Sequence, residues 1–282
     1  MRGGALLDMA DRDLQLAELV AAVRASARYR TIDPQVIERV GRTALQRYSS
    51  LKAAIKATKT ELHQMIGAYA DQAPLYDQWL AELRQAMDGT ARKAVCRRLM
   101  AAHASTRERL PALEQLYPAC FGDQPPQRIL DLGCGLNPLA IPWMDLPANA
   151  YYAAYDIDTD LCSFLQAALP LLGVQGEAGI CDLALGAPPV AADVAFVLKT
   201  IPLLEQQQRG AGVELLRAIQ APRLVVSFPT RSLGGRNVGM ATTYRNYMAA
   251  VAASEGWSPR VIELPNELVF VIERHTPSRS RM

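Results

Sequence analysis

Apolar positions in the first 120 residues recur at helical spacing, and beyond residue 125 they gather into short runs. Asp13 to Val23 repeats apolar residues every three or four positions. Asp33-Pro34 sets a capping residue before a proline suited to the first helical position. Val36, Ile37, Val40, Ala44 and Leu45 then supply one apolar face. The pattern predicts a third helix over 50–69, a break at Ala73-Pro74, and helices over 76–83 and 90–102. Ser105 and Glu108 stand at capping-box spacing, which predicts a helix from there through Leu116. Gly122-Asp123-Gln124-Pro125-Pro126 reads as a linker. Beyond it the apolar runs are 129–132, 151–155, 193–198, 224–228, 261–264 and 268–272, alternating with helical stretches. That alternation predicts βαβ units in a mainly parallel sheet. Pro265-Asn266-Glu267 separates the last two runs as a hairpin turn, so the closing strand is expected to be antiparallel.

Half of the 282 residues are apolar, which excludes a disordered chain and allows two domains. No apolar run is long enough to span a bilayer, and the first residues turn charged too soon for a signal peptide. A cytoplasmic protein that meets no membrane is expected. Five cysteines, an odd number without a C-x-x-C pair, suit buried thiols of a reducing compartment. Three widely spaced histidines give no metal-ligand pattern, and no metal is expected. The net charge of +2 hides an asymmetry. Nine Lys/Arg face Asp33 and Glu38 between Arg24 and Lys59, whereas from residue 126 onward 12 Lys/Arg meet 14 Asp/Glu. The basic stretch is a candidate polyanion footprint, or else a solvated helical surface.

Candidate chemistry lies where the strands end, because open α/β sheets bind ligands at the carboxyl ends of their strands. The first run ends in Asp131-Leu132-Gly133-Cys134-Gly135, a D-x-G-x-G turn of the kind that faces the nucleoside in S-adenosylmethionine (SAM) methyltransferases. It lacks the third glycine of the dinucleotide fingerprint. Alone, the turn serves an ordinary strand-to-helix connection equally well. The second run ends at Asp156, 21 residues beyond Gly135, the spacing at which a carboxylate takes a ribose diol; Asp158 and Asp160 compete nearby. Asp182 follows a third strand end, placed to accept from an adenine amine, with Leu183 to cover the ring. Helix capping accounts for one or two such acids, but three at successive strand ends point to a cofactor. Lys199 ends the fourth run and is the only lysine beyond residue 94. It reads as a cation near the methyl donor and an anionic substrate, or as a structural partner of Asp182 or Asp156. No Asn-Pro-Pro-Tyr-like or Pro-Cys motif is present, so neither an exocyclic-amine nor a covalent pyrimidine mechanism is indicated. A target with an available lone pair, such as guanine N7, needs only positioning and electrostatics.

Four segments carry a family resemblance: His103-Ala104-Ser105-Thr106-Arg107-Glu108-Arg109-Leu110, the turn from Asp131 to Leu139, Lys199 to Glu205, and Ser227-Phe228-Pro229-Thr230-Arg231-Ser232-Leu233-Gly234-Gly235-Arg236. In this order, with Leu62 to Tyr69 before them, they resemble the aminoglycoside-resistance 16S ribosomal RNA methyltransferases that modify guanine N7 in the decoding site. The resemblance covers nearly the whole chain. It implies an α/β fold, a Rossmann-like SAM-dependent methyltransferase with a seven-stranded sheet and an all-helical N-terminal domain. The expected boundaries are 1–124 for a helical RNA-docking domain, with a break near 71–75, and 125–282 for the SAM-binding domain. It implies SAM as cofactor, bound by Tyr69, His103, Ala104, Ser105, Arg109, Gly133, Asp156, Asp182, Leu183, Leu198 and Gln207, beside the Asp131 and Gly135 of the turn. Arg109 is suited to the methionine carboxylate, because a guanidinium fork matches it bidentately. Lys199 is the expected catalytic residue, orienting substrate or cofactor. The partner implied is the assembled 30S subunit, met by a monomer. Arg24, Arg28, Arg42, Arg47, Lys52, Arg231 and Arg236 are the expected RNA contacts, the last two on a glycine-hinged loop over the target base. Gly133 departs mildly, standing where some members have alanine. A small-molecule methyltransferase of antibiotic biosynthesis, or a SAM- or RNA-binding protein without catalysis, is the competing expectation.

Overall fold

The computed structural model describes residues 2–66, 75–230 and 239–274, with side chains from residue 11 onward. Contacts divide the chain into two units, residues 1–69 with 157–160 and residues 70–156 with 161–282.

The smaller unit is built on three helices, α1 (Arg2–Arg24), α2 (Pro34–Arg47) and α3 (Leu51–Ile66). Asp33 caps α2 as its sequence implies, accepting from the Gln35 amide at 2.9 Å. Leu19, Val23, Val36, Ile37, Val40, Ala54 and Leu62 fill the core between the helices. The chain segment 157–160 belongs to this unit. The Asp33 amide donates to the Ile157 carbonyl at 2.9 Å, the Thr159 amide to the Thr31 carbonyl at 2.7 Å, and the Thr31 hydroxyl to Asp158 Oδ2 at 2.7 Å. Asp158 is thereby engaged as a strap for the helices.

The larger unit holds a seven-stranded sheet of β1 (Arg128–Leu132), β2 (Tyr151–Asp156), β3 (Gln175–Ile180), β4 (Val194–Leu198), β5 (Arg223–Pro229), β6 (Ser258–Leu264) and β7 (Glu267–Glu273), in the order β3-β2-β1-β4-β5-β7-β6. The first five strands run parallel and β7 is antiparallel to both neighbours. Strand order reverses between β1 and β4, the switch point where ligands settle in such sheets. Burial on both faces explains the apolar runs. Ile129, Phe196 and Leu198 join the core on one face, and Leu130, Leu132, Ala195 and Val197 the core on the other. The first core is completed by α4 (Tyr76–Gln85), α5 (Gly89–Met100), α7 (Leu113–Phe121) and α8 (Thr159–Ala168), so helices 76–121 pack on the sheet. The opposite core takes in α9 (Ile201–Gln207), α10 (Ala211–Ala218) and α11 (Met240–Glu255).

One expectation is corrected. The continuous helix from Ser105 through Leu116 is instead α6 (Ala104–Arg107), a 3-10 turn at Leu110–Ala112, and then α7. Pro111 has no amide proton for a helical bond, which breaks the run. Ser105 lies inside α6; His103 occupies the cap position. Strand β3, whose sequence Gln-Gly-Glu-Ala-Gly-Ile shows no apolar run, lies at the sheet edge.

Candidate cofactor and active site

The turn after β1 is a backbone device. Gly133 has φ of +63° and Gly135 of +49°. A Cβ on Gly133 would sit 2.7 Å from the Thr200 hydroxyl, so an alanine here would require Thr200 to move. The turn is fixed to β2 twice. The Cys134 amide donates to the Tyr155 carbonyl at 3.0 Å, and the Gly135 amide donates to Asp156 Oδ2 at 2.9 Å. The 21-residue spacing therefore closes in space, and the carboxylate at the end of β2 is held against the turn. His103 packs over the same turn, its ring 3.6 Å from where a Gly135 Cβ would stand. Burial, helped by the charges of Arg109, Lys199 and Arg107, lowers its pKa to about 4, so it is neutral at pH 7.

Asp131 is wholly buried and faces the core that carries α7. Its Oδ2 accepts from the Tyr152 hydroxyl at 2.7 Å and from Asn137 Nδ2 at 3.0 Å. Its Oδ1 is buried with no partner among the described residues. Burial pushes the Asp131 carboxyl up to about 6, against the two hydrogen bonds and the charge of Arg109, which pull it down. Asn137 opens the 3-10 segment Asn137–Trp143 and links onward, its Oδ1 accepting from the Tyr117 hydroxyl at 2.8 Å and Arg109 Nη1 at 3.3 Å.

Arg109 is 2 % exposed and fully engaged along one edge. Its Nε donates to both oxygens of Glu267, at 3.1 and 2.9 Å, and Nη2 donates to the Ser105 hydroxyl at 3.3 Å. Lys199 adds a second cation. Its ammonium lies 3.4 Å from Glu267 Oε2 and bonds to Glu108 as well. Its partners are these two glutamates and not the Asp182 or Asp156 of the alternative, structural reading. Burial raises the Glu267 carboxyl, but Arg109, Lys199 and a hydrogen bond from Ser227 together hold it below its ordinary value. Lys199 also has φ of +59°, and its amide donates to the Ser227 carbonyl at 3.0 Å and hydroxyl at 3.1 Å.

Asp182 caps the 3-10 turn Leu183–Leu185, accepting from the Ala184 amide at 3.1 Å, so the capping role and the adenine role fall on the same residue. Leu183 and Leu198 are buried. Gln207 bonds within α9 to the Leu203 carbonyl at 3.4 Å, and its Oε1 is buried without a partner among the described residues. Tyr69, Arg231 and Arg236 lie outside the described residues. Glu267, Glu108 and Asn137 were missed by the sequence reading. Glu267 begins β7, opposite Pro229 at the end of β5, and so reaches the carboxyl edge of the parallel strands.

SAM would bring a ribose diol, an adenine amine, an ammonium and a carboxylate. The residues present fit it: Asp156 for the diol, Asp182 and Leu183 for adenine, the orphan Asp131 oxygen for an amine, and the Arg109 fork for the carboxylate. When bound, SAM would supply a sulfonium-bound methyl group for transfer.

Residues 25–271 match the family model described as ribosomal RNA methyltransferase (FmrO). A protein of Frankia casuarinae named 16S rRNA (guanine(1405)-N(7))-methyltransferase is 43% identical over 279 residues, spanning 96% of this chain and 98% of its own length. A Serratia marcescens protein of the same name is 31% identical, over 93% of this chain and 100% of its own. The crystal structure of 16S rRNA methyltransferase RmtF in complex with S-adenosyl-L-homocysteine superposes with a TM-score of 0.80 at 32% identity, over 92% of this chain and 98% of that one.

Proposed function

The chain belongs to the FmrO family of ribosomal RNA methyltransferases, and from that premise we propose its reaction and the role of each residue. The protein is a SAM-dependent methyltransferase of 16S rRNA whose target is N7 of guanine 1405. The observation that carries this reading is the Asp156 carboxylate locked to the Gly135 amide beside the buried Arg109–Asp131 network, at the switch point of a SAM-type sheet.

N7 offers a lone pair in the plane of the base, so its methylation by in-line displacement requires no general base. Asp156 holds the ribose, Asp182 and Leu183 hold the adenine, and Arg109 takes the methionine carboxylate. His103 covers the turn at Gly135, and Ala104 and Ser105, which follow it, complete the cofactor contacts. Lys199, fixed between Glu108 and Glu267, orients substrate against cofactor. The helical N-terminal region docks on rRNA phosphates through Arg24, Arg28, Arg42, Arg47 and Lys52, all of them exposed. Arg231 and Arg236, which lie outside the described residues, are proposed to meet the target base or its phosphate. The substrate is the assembled 30S subunit, approached by a cytoplasmic monomer. No helix among the described residues is long and apolar enough to cross a membrane. The methylated, cationic N7 removes an acceptor from the guanine edge, and resistance to kanamycin- and gentamicin-type drugs follows.

The test is transfer of tritium from methyl-labelled SAM to 30S subunits, 50S subunits, free rRNA and small metabolites. Label in the 30S lane, mapped to guanine by reductive cleavage selective for N7-methylguanine, is expected. Label in the metabolite lane alone, or on an adenine, would overturn the reading.

A further inference from the structure

Asn137 joins an acid to a base through one uncharged group. Its amide nitrogen donates to Asp131 Oδ2 at 3.0 Å and to the Tyr152 hydroxyl at 3.4 Å. Its amide oxygen accepts from Arg109 Nη1 at 3.3 Å and the Tyr117 hydroxyl at 2.8 Å. The side chain is 1 % exposed, so each of these bonds lies out of water's reach. The chemistry demands an amide. A carboxylate would accept from Arg109 and Tyr117 but would confront Asp131 with like charge. An ammonium would donate to Asp131 but could not accept, and an apolar side chain would strip the Tyr117 hydroxyl and Arg109 Nη1 of this acceptor and take one donor from Asp131. The backbone supports the placement: the Asn137 amide donates to the Cys134 carbonyl at 2.9 Å, and Pro138 follows, fixing the 3-10 start immediately after the glycine turn.

The geometry at Arg109 says what this amide does. Glu267 holds the guanidinium at Nε alone, which leaves rotation about that contact. Asn137 at Nη1 and Ser105 at Nη2 fix the plane of the fork. Each terminal nitrogen then retains one N–H without a partner among the described residues. We propose that Asn137 is a positioning residue that sets the plane of the Arg109 fork for the carboxylate end of the methyl donor, and so serves the amino-acid half of the cofactor and not its nucleoside half. The proposal rests on the reading of Arg109 as the carboxylate anchor.

Calorimetry with two ligands tests it. S-adenosylhomocysteine carries the carboxylate; 5′-methylthioadenosine is the same nucleoside thioether without the amino-acid end. In Asn137→Ala, affinity for S-adenosylhomocysteine should fall tenfold or more while affinity for methylthioadenosine stays within twofold, and KM for SAM should rise with kcat little changed. Asn137→Asp keeps the shape, so it tests the idea if the alanine variant fails to fold. Its introduced carboxyl faces Asp131, Tyr152, Tyr117 and Arg109, and a proton shared with Asp131 restores the donor that Asp131 needs. S-adenosylhomocysteine affinity in Asn137→Asp should therefore recover as pH falls from 8 to 6, with no matching change for methylthioadenosine. Equal losses for both ligands, or no loss for either, would overturn the proposal. Arg109→Gln is the separate control. If it leaves the preference for S-adenosylhomocysteine intact, the anchor reading falls and the proposal with it. If it abolishes the preference and both Asn137 variants keep it, the positioning role alone is wrong.

Discussion

Two buried groups at the site titrate in opposite senses, and their effects on stability overlap. His103, lowered to about 4 mainly by burial, contributes stability that is fully present above its ordinary 6.5 and is lost as pH falls toward 4. Asp131, raised to about 6, contributes stability that is present below its ordinary 3.8 and is lost as pH rises through 6. In the shared window the slopes oppose each other, each at most about 1.4 kcal/mol per pH unit. Relative to the parent, His103→Gln should gain stability as pH falls from 6.5 to 4, and Asp131→Asn should lose it from 6 to 4, in urea melts at half-unit steps. Curves parallel to the parent would refute both assignments. Lys199 makes a second residue-scale prediction. Its φ of +59° strains any side chain with a Cβ, so Lys199→Gly should be about 1 kcal/mol more stable than Lys199→Ala. Both should lose methyl transfer to 30S subunits, because each removes the ammonium between Glu108 and Glu267. Equal melting of the two variants would remove the strain, and retained transfer would remove the role. Asp131, Asp156 and Lys199 stood out in the sequence because each closes an apolar run, whereas Asp182 follows a strand that has none. Asn137 did not, because it opens the mostly apolar stretch after the turn and its four partners, 6 to 28 residues away, sit on four different segments that only the fold brings together.

Elements buried on both faces wrote themselves into the sequence as apolar runs, and the elements that escaped did so for stated reasons. Strands β1, β2, β4, β5 and β7 were readable in this way. At the edge, β3 is only partly buried, and its side chains are held to no such pattern. Its place depends on Gly176, where a Cβ would come 2.1 Å from the Tyr152 carbonyl oxygen of β2. Backbone cannot yield there as a side chain tip would. Gly176→Ala should therefore push β3 off β2, lower stability by roughly 1–3 kcal/mol, and weaken SAM binding through Asp182, which follows the strand. Parent-like melting and affinity would show that the edge adapts freely. The hairpin of β6 and β7 was legible, yet Glu267 was not. A search of strand ends passes over the first residue of an antiparallel strand, although topology brings that residue to the same edge. The helix expected from Ser105 shows the reverse failure: capping-box spacing was present, but Pro111 overrode it, and the resulting bend leaves Arg109 between Glu267 and Asn137.

At the scale of the molecule, charge and chemistry sit in different units. Arg42, Arg47 and Lys52 are exposed on α2 and α3, and the ion pair of Arg42 with Asp13, at 3.9 Å, is mostly solvated. Such a pair contributes little to stability. Changing all three to glutamate should leave melting and SAM affinity near parental, but weaken 30S binding and flatten its dependence on salt. Normal subunit binding by the triple variant would reduce the basic face to a solvated surface. The smaller unit is also discontinuous: its strap, 157–160, arrives about ninety residues after its third helix. Made from the N-terminus at 5–20 residues per second, the helices wait roughly 5–20 s for the partners of Thr31 and Asp33. They cannot finish folding until β1, the glycine turn and β2 have emerged. Birth of the chain thus orders its assembly: the basic helices are completed only once the strand bearing Asp156 has been made, so a nascent chain stalled before that point presents unfinished helices and no cofactor site.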